Sequence, residues 1–229
     1  VLGGNMRLAA YPPGKGDITN MIRSYIHRCQ KDGVKIVMNC EVTPELIKEE
    51  KPDSVIIATG SKTLILPIEG IDNPAIIHGS DLLDGKRAAG KKVLVVGGGM
   101  VGCETAAFLG EQEHDVTVIE FRDTVGADVI HEHRVYLMKD FEDYGIKEIT
   151  GAKVCKFYED GVEYETADGV RHESRGYDSV ILSMGFRNYN PLEEKIKDLV
   201  PETHVIGDAI RARRALDATK EAYEVASRI

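Results

Sequence analysis

Apolar positions along this chain follow two periods, and the switches between them predict its elements. Over residues 18–31, Ile18, Met21, Ile22, Tyr25, Ile26 and Cys29 fall on one face at helical spacing. Asp17 stands where an N-cap belongs, and Gly33 where a helix stops. The apolar run 34–38 then predicts a strand. Thr43-Pro44 opens a second helix, with the threonine as cap and the proline at the first helical position; Pro52-Asp53 breaks it. Residues 54–60, Ser-Val-Ile-Ile-Ala-Thr-Gly, predict a short buried strand running into a glycine turn. Residues 67–90 are loop-rich and carry a candidate boundary.

The second half alternates more regularly. A β-branched run at 92–96 enters a glycine turn and a helix, and Asp115 to Glu120 predicts a strand ending in an acid. A helix over about 130–144 leads to a strand near 146–149. Three strands follow at 154–158, 162–166 and 170–173, joined by Glu159-Asp160-Gly161 and Ala167-Asp168-Gly169, both strong hairpin signals. Residues 177–185, ending in Met184-Gly185, echo residues 53–60: each is a strand terminated by glycine, so the chain leaves one domain and later returns to it. Residues 203–209 predict a strand entering a Gly207-Asp208 turn. A closing helix over about 216–229 sets Ala218, Ala222, Tyr223 and Ala226 toward a packed face. The fold class is α/β, with one nucleotide-type domain inserted in another.

The turn after residues 92–96 reads Gly97-Gly98-Gly99-Met100-Val101-Gly102, a Gly-x-Gly-x-x-Gly pattern between strand and helix. With an acid about 20 residues further on, this is the unit that holds the adenosine half of a dinucleotide. Gly97 permits the tight turn, Gly99 lets a pyrophosphate approach the backbone, and Gly102 lets the helix pack closely. Met100 and Val101 open the helix, whose free N–H groups favour phosphate. Glu120 is placed to accept hydrogen bonds from ribose hydroxyls and to repel a 2′-phosphate, which selects NAD(H) over NADP(H). Arg122, two residues on, weakens that selection. Glu104, one turn into the helix, has two open readings: a group near the nicotinamide, or an acid favoured by the helix dipole.

Composition narrows the classes. The 229 residues carry a net charge of −9 and no basic cluster, which disfavours nucleic acid and anionic membranes as partners. No apolar run approaches about 18 residues, so no transmembrane helix is expected. Cys29, Cys40, Cys103 and Cys155 form no Cys-x-x-Cys pair, which argues against a disulfide, cluster or zinc site and fits a reducing cytoplasm. His131 and His133 lie two apart on a helix and cannot readily share an ion, so no metal site is expected. Arg211, Arg213 and Arg214 after the Gly-Asp turn face either a ligand phosphate, a neighbouring domain or solvent.

Ala58-Thr59-Gly60, the central glycine pattern and Gly207-Asp208 together resemble the two-dinucleotide-domain flavoproteins related to pyridine nucleotide–disulfide oxidoreductases. With Leu2-Gly3-Gly4-Asn5, Ala9-Ala10 and Pro12-Pro13-Gly14-Lys15, the chain is similar to the C-terminal portion of NADH:flavin oxidoreductases of the old yellow enzyme class. That group includes 2-enoate reductases, 2,4-dienoyl-CoA reductases and trimethylamine dehydrogenase. The resemblance implies a Rossmann-like NAD(H)-binding domain at 88–175, inserted in a partial FAD-binding domain at 1–87 and 176–229, with a three-layer ββα arrangement. It implies FAD contacts at Ala58, Thr59, Gly60, Gly185, Gly207 and Asp208.

The family's FMN barrel, its 4Fe–4S cysteines and its first glycine fingerprint have no counterpart in these residues. FMN, the cluster and the rest of the FAD site are therefore expected from preceding parts of the same polypeptide, and the fragment alone is expected to be inactive. The implied reaction passes hydride from NADH to FAD, and electrons onward to reduce an activated C=C bond. No residue here is expected to be catalytic in the acid–base sense. The other open reading, as in trimethylamine dehydrogenase-like relatives, is a domain that holds ADP structurally. A homo-oligomer through a truncated sheet edge is also open. One departure is local: Glu113 occupies a position where glycine often ends the helix.

Overall fold

The computed structural model describes residues 1–229. In chain order it contains α1 (Asp17–Lys31), α2 (Pro44–Glu50), β1 (Ser54–Ile57), β2 (Ser61–Thr63), β3 (Ile77–His78), α3 (Gly79–Leu83), β4 (Lys92–Val96), α4 (Met100–Glu111) and β5 (Asp115–Ile119). There follow α5 (His131–Asp143), β6 (Lys147–Ile149), β7 (Lys153–Tyr158), β8 (Gly161–Glu165), β9 (Arg171–Ser174), β10 (Ser179–Leu182), β11 (Phe186–Asn188), α6 (Glu193–Ile196), β12 (Glu202–Val205) and α7 (Ala215–Ala226). The fold is α/β. Two compact units divide it, one of residues 1–5, 24–62 and 186–229, the other of residues 6–23 and 63–185.

The larger unit is built on a parallel sheet of order β3-β10-β4-β5-β6. Strand β4 lies at its centre, and Val93, Leu94, Val95 and Val96 are at most 2% exposed. A strand buried on both faces reads as a continuous apolar run rather than an alternating one, which is what 93–96 shows. Period two then sorts the side chains. Val93 and Val95 join Cys103, Ala106, Leu109, Leu137 and Phe141 in the layer made with α4 and α5. Leu94 and Val96 join Phe157 and Val162 in the layer made with the β7-β8-β9 meander. The unit is thus helix, parallel sheet and antiparallel sheet in three layers.

The two hairpin glycines serve different ends. Gly169 takes φ +78, as its turn demands. Gly161 is in extended backbone, and a Cβ there would stand 2.0 Å from the Ser174 carbonyl, so its need is space. Residues 67–90, expected as loop, contain the edge strand β3 and helix α3; a two-residue strand is too short to show a period.

The smaller unit has a two-stranded parallel ladder, with Ser54 opposite Glu202 and Ile57 opposite Val205. Ile47, Ile57, Leu192, Ile196, Val200 and Ala209 form its core. Helix α2 begins as expected: the Leu46 N–H donates to Thr43 Oγ1 at 3.3 Å, ahead of Pro44.

Three expectations are corrected. Asp17 lies inside the first turn of α1 rather than before it, and its carboxylate accepts from the Asn20 side chain, not from a helical N–H. Residues 34–38 form no ladder, and Val34, Val37 and Met38 are 54%, 59% and 44% exposed. Strand character is completed only by a hydrogen-bonding neighbour, and the apolar run alone does not supply one. Nothing on α1 or α7 is fully buried: Met21, Tyr25 and Tyr223 are exposed, while Ile18, Ile22, Ala218 and Ala222 are half-buried. The periodicity places the apolar stripes correctly but cannot supply the surface that would cover them.

Helix α4 ends through Glu113, which takes φ +63 and donates its N–H to the Gly110 carbonyl at 2.9 Å. That left-handed conformation strains any residue with a Cβ. Glu113→Gly is therefore expected to stabilise the chain by about 1 kcal/mol, seen as a higher urea midpoint at unchanged m-value. A lower midpoint would refute the strain.

Candidate functional site

The glycine turn grows directly out of β4. The Gly97 N–H donates to the Ile119 carbonyl at 2.9 Å, continuing the ladder, and Gly97 takes φ +105. A Cβ on Gly97 would stand 2.4 Å from the Ser183 carbonyl oxygen, so both conformation and space require glycine. On Gly102, in the first turn of α4, a Cβ would stand 1.8 Å from the Gly97 carbonyl oxygen. The close packing expected of Gly102 is therefore against the turn's own first carbonyl, and it lets the helix start directly on leaving the strand. Gly99, in extended backbone with φ −72, has Asp128 as its neighbour: a Cβ would lie 3.3 Å from Asp128 Oδ2.

Two carboxylates hold this turn. Glu120, at the exit of β5 and 9% exposed, accepts the Gly98 N–H at 2.6 Å and the Arg122 N–H at 2.9 Å. Asp128 accepts the N–H of Met100, the first residue of α4, at 2.9 Å. The Gly98 carbonyl accepts the Gly126 N–H at 2.7 Å and the Cys103 thiol at 3.2 Å. Burial pushes the Cys103 thiol up to about 12. It is a sealed packing group and not a nucleophile.

Glu104 is 5% exposed and is not part of the glycine turn's hydrogen bonding. Its Oε1 is bonded to the Lys15 ammonium and lies 3.2 Å from His133 Nε2. A carboxylate buried this far must be paired, and Lys15 meets that need. His133, at the start of α5, faces this carboxylate. No grouping of three His, Cys, Asp or Glu side chains could hold a metal ion.

Beyond Glu120, Phe121, Arg122 and Asp123 form one wall of a surface cavity of about 480 Å³; Gly151, Lys153 and Glu165 form part of the other. The cavity opens next to the acid expected to meet a ribose, and its two cations are balanced by two carboxylates. Gly185, past β10, takes φ +99 with no atom within 4 Å of a would-be Cβ.

In the smaller unit, β1 and β12 run parallel, so their exits, Ala58-Thr59-Gly60 and Gly207-Asp208, lie at the same end of the ladder. The Thr59 hydroxyl donates to the Tyr189 carbonyl, and the Tyr189 N–H donates to the Gly60 carbonyl at 2.9 Å. Ser61 Oγ lies 3.0 Å from Asp208 Oδ2, joining the two turns. The Asp208 Oδ1 accepts the Arg213 N–H, and the Gly207 N–H donates to Glu221 at 2.7 Å. The Arg213 guanidinium, 2.5 Å from Glu221, holds that carboxyl below the usual range. Of the three arginines after the turn, Arg213 is thus an internal brace of the Gly207 turn.

Sequence reasoning missed Asp128, Lys15 and His133 as neighbours of this site. They lie 28, 89 and 29 residues from the atoms they meet, and no spacing rule covers such separations.

The family described as pyridine nucleotide-disulphide oxidoreductase matches residues 14–200. A cinnamate reductase of Clostridium sporogenes is 30% identical over 231 residues, covering 100% of this chain and 34% of the relative. An NADH oxidase of Thermoanaerobacter brockii is 32% identical over 234 residues, covering 100% and 36%. A solved 2-naphthoyl-CoA reductase in complex with 2-naphthoyl-CoA is 31% identical with a TM-score of 0.92, covering 99% of this chain and 34% of that one. The chain spans about a third of the length of these relatives.

Two expectations follow from the geometry. Gly102→Ala places a methyl against the Gly97 carbonyl and should cost at least about 3 kcal/mol, measured by urea unfolding. Cys103 should resist alkylation at pH 8 while exposed Cys40 reacts; equal labelling in the folded protein would contradict the sealed thiol. Because the folded thiol titrates above the unfolded one, Cys103 contributes stability fully below about pH 9, lost as pH rises toward about 12.

Proposed function

Because this chain belongs to the pyridine nucleotide-disulphide oxidoreductase family, we propose that it is the NADH-binding and partial FAD-binding part of an NADH:flavin oxidoreductase. On this reading the NAD(H)-binding domain, expected at 88–175, also takes in β3 and β10, which pair into the sheet of β4, and the FAD-binding domain is drawn from the rest of 1–87 and 176–229. The observation that carries the reading is Glu120 at the exit of β5, bonded to the Gly98 N–H at the start of the glycine turn. This sets a carboxylate beside the phosphate-binding end of α4, where an adenine ribose and its pyrophosphate can be held together. The NAD(H) contacts are Gly97, Gly98, Gly99, Met100, Val101, Gly102, Glu120 and Arg122, with Glu104 orienting the deeper end through Lys15 and His133.

The residues present fit the dinucleotide. The cradle exists because Gly97 and Gly102 carry no Cβ, and the opening turn of α4 points N–H groups outward. The FAD contacts are Ala58, Thr59, Gly60, Gly185, Gly207 and Asp208. Gly60 and Gly185 leave open space where a Cβ would stand. When bound, NADH would supply a hydride, two electrons with one proton, and FAD would be its acceptor. This chain's residues bind, orient and exclude water around that step, and none moves a proton.

The relatives' names, cinnamate reductase and 2-naphthoyl-CoA reductase, support reduction of an activated C=C bond by the whole polypeptide. An FMN barrel and a 4Fe–4S region elsewhere in the same polypeptide would complete that route. The unpaired run 34–38 and the 39% exposed Ile56 of β1 suit further strands of the FAD-binding domain.

Calorimetric titration tests the reading. NADH should bind more tightly than both NADPH and ADP, and Glu120→Ala should erode the preference for NADH over NADPH about tenfold. An unchanged ratio would remove Glu120 from the ribose site. ADP binding as tightly as NADH would instead favour a structural ADP-holding domain.

A further inference from the structure

The N-terminus of α4 already has an anion on it. The Asp128 carboxylate accepts the Met100 N–H through Oδ1 at 2.9 Å, and its Oδ2 lies on the Cβ side of Gly99. These are the backbone groups that a pyrophosphate would use in the dinucleotide site. The segment carrying Asp128 is fixed elsewhere: the Gly126 N–H donates to the Gly98 carbonyl at 2.7 Å, and Val125 and Val129 are buried in the core with Val118 and Cys103. Asp128 itself is exposed, so an incoming anion can reach its carboxylate from solvent while that anchor stays in place.

We propose that Asp128 is a resident counter-anion of the phosphate cradle, which the pyrophosphate of a dinucleotide must displace, and that it thereby sets the affinity for phosphate-bearing ligands. This inference rests on the dinucleotide-site reading above. The physics is a competition. Without ligand, Asp128 satisfies an N–H that the helix leaves open and places negative charge at the positive end of the dipole. A diphosphate offers more charge and more acceptor oxygens to the same N–H groups. Both anions cannot occupy one site, and the displaced carboxylate remains close enough to repel the incoming phosphates. The cradle is thereby kept ordered between turnovers and is biased against weakly charged ligands.

Two variants separate the effects. Asp128→Asn keeps a capping oxygen and removes the charge; Asp128→Ala removes both. Calorimetry with NADH, ADP, inorganic pyrophosphate and adenosine should show NADH and pyrophosphate binding about five- to tenfold more tightly to both variants, with adenosine unchanged. The melting temperature without ligand should fall for Asp128→Ala and be held by Asp128→Asn; at saturating NADH Asp128→Ala should regain the parent's value and Asp128→Asn should exceed it. Unchanged or weaker pyrophosphate and NADH binding in both variants, with NADH still bound by the parent chain, would overturn the proposal and leave the dinucleotide site standing. Tighter pyrophosphate binding in the variants, with no NADH or ADP binding in any of the proteins, would keep the counter-anion and overturn the dinucleotide reading. Absence of binding for every probe would overturn both.

Discussion

The close approach of Gly102 to the Gly97 carbonyl oxygen is the constraint on which the larger unit depends. An added Cβ would meet that oxygen at 1.8 Å, so no other side chain fits without moving the helix. Because it fits, α4 begins three residues after Gly97 and lies directly over β4, and its apolar side packs against Val93 and Val95. The same geometry aims the first N–H groups of α4 at the open end of the sheet. Core packing and anion binding therefore come from one steric permission.

Around that turn, stability and ligand chemistry draw on the same carboxylates. Glu120 and Asp128 each take a backbone N–H of the loop or helix start, which orders the cradle. Each also stands where a ligand oxygen would stand or approach. Glu104 differs: sealed between Lys15 and His133, it is a buried charge neutralised within the unit, not a reserve of charge for the cradle. Three acids within one small region thus have three roles, set by which donors surround them.

Much of the fold was legible because its signals are local. The glycine pattern, the β-branched runs at 92–96 and 115–119, the hairpin turns and the Thr43-Pro44 start each depend on neighbours within a few residues. Residues 34–38 and the apolar faces of α1 and α7 were legible only as pattern. Their pattern is present, but pairing and covering are properties of a second surface. Strand β3 escaped notice because two residues carry no period.

The sequence by itself determined the α/β class, the order of the elements and the identity of the glycine turn with its distant acid, because these follow from propensity, periodicity and backbone sterics. Only the tertiary structure decided that Lys15 and His133 converge on Glu104, and that Asp128 sits on the helix that Gly99 opens. Those contacts join residues 28 to 89 positions apart. The chain closes such loops only through the packing of sheet and helices, so no local pattern can announce them.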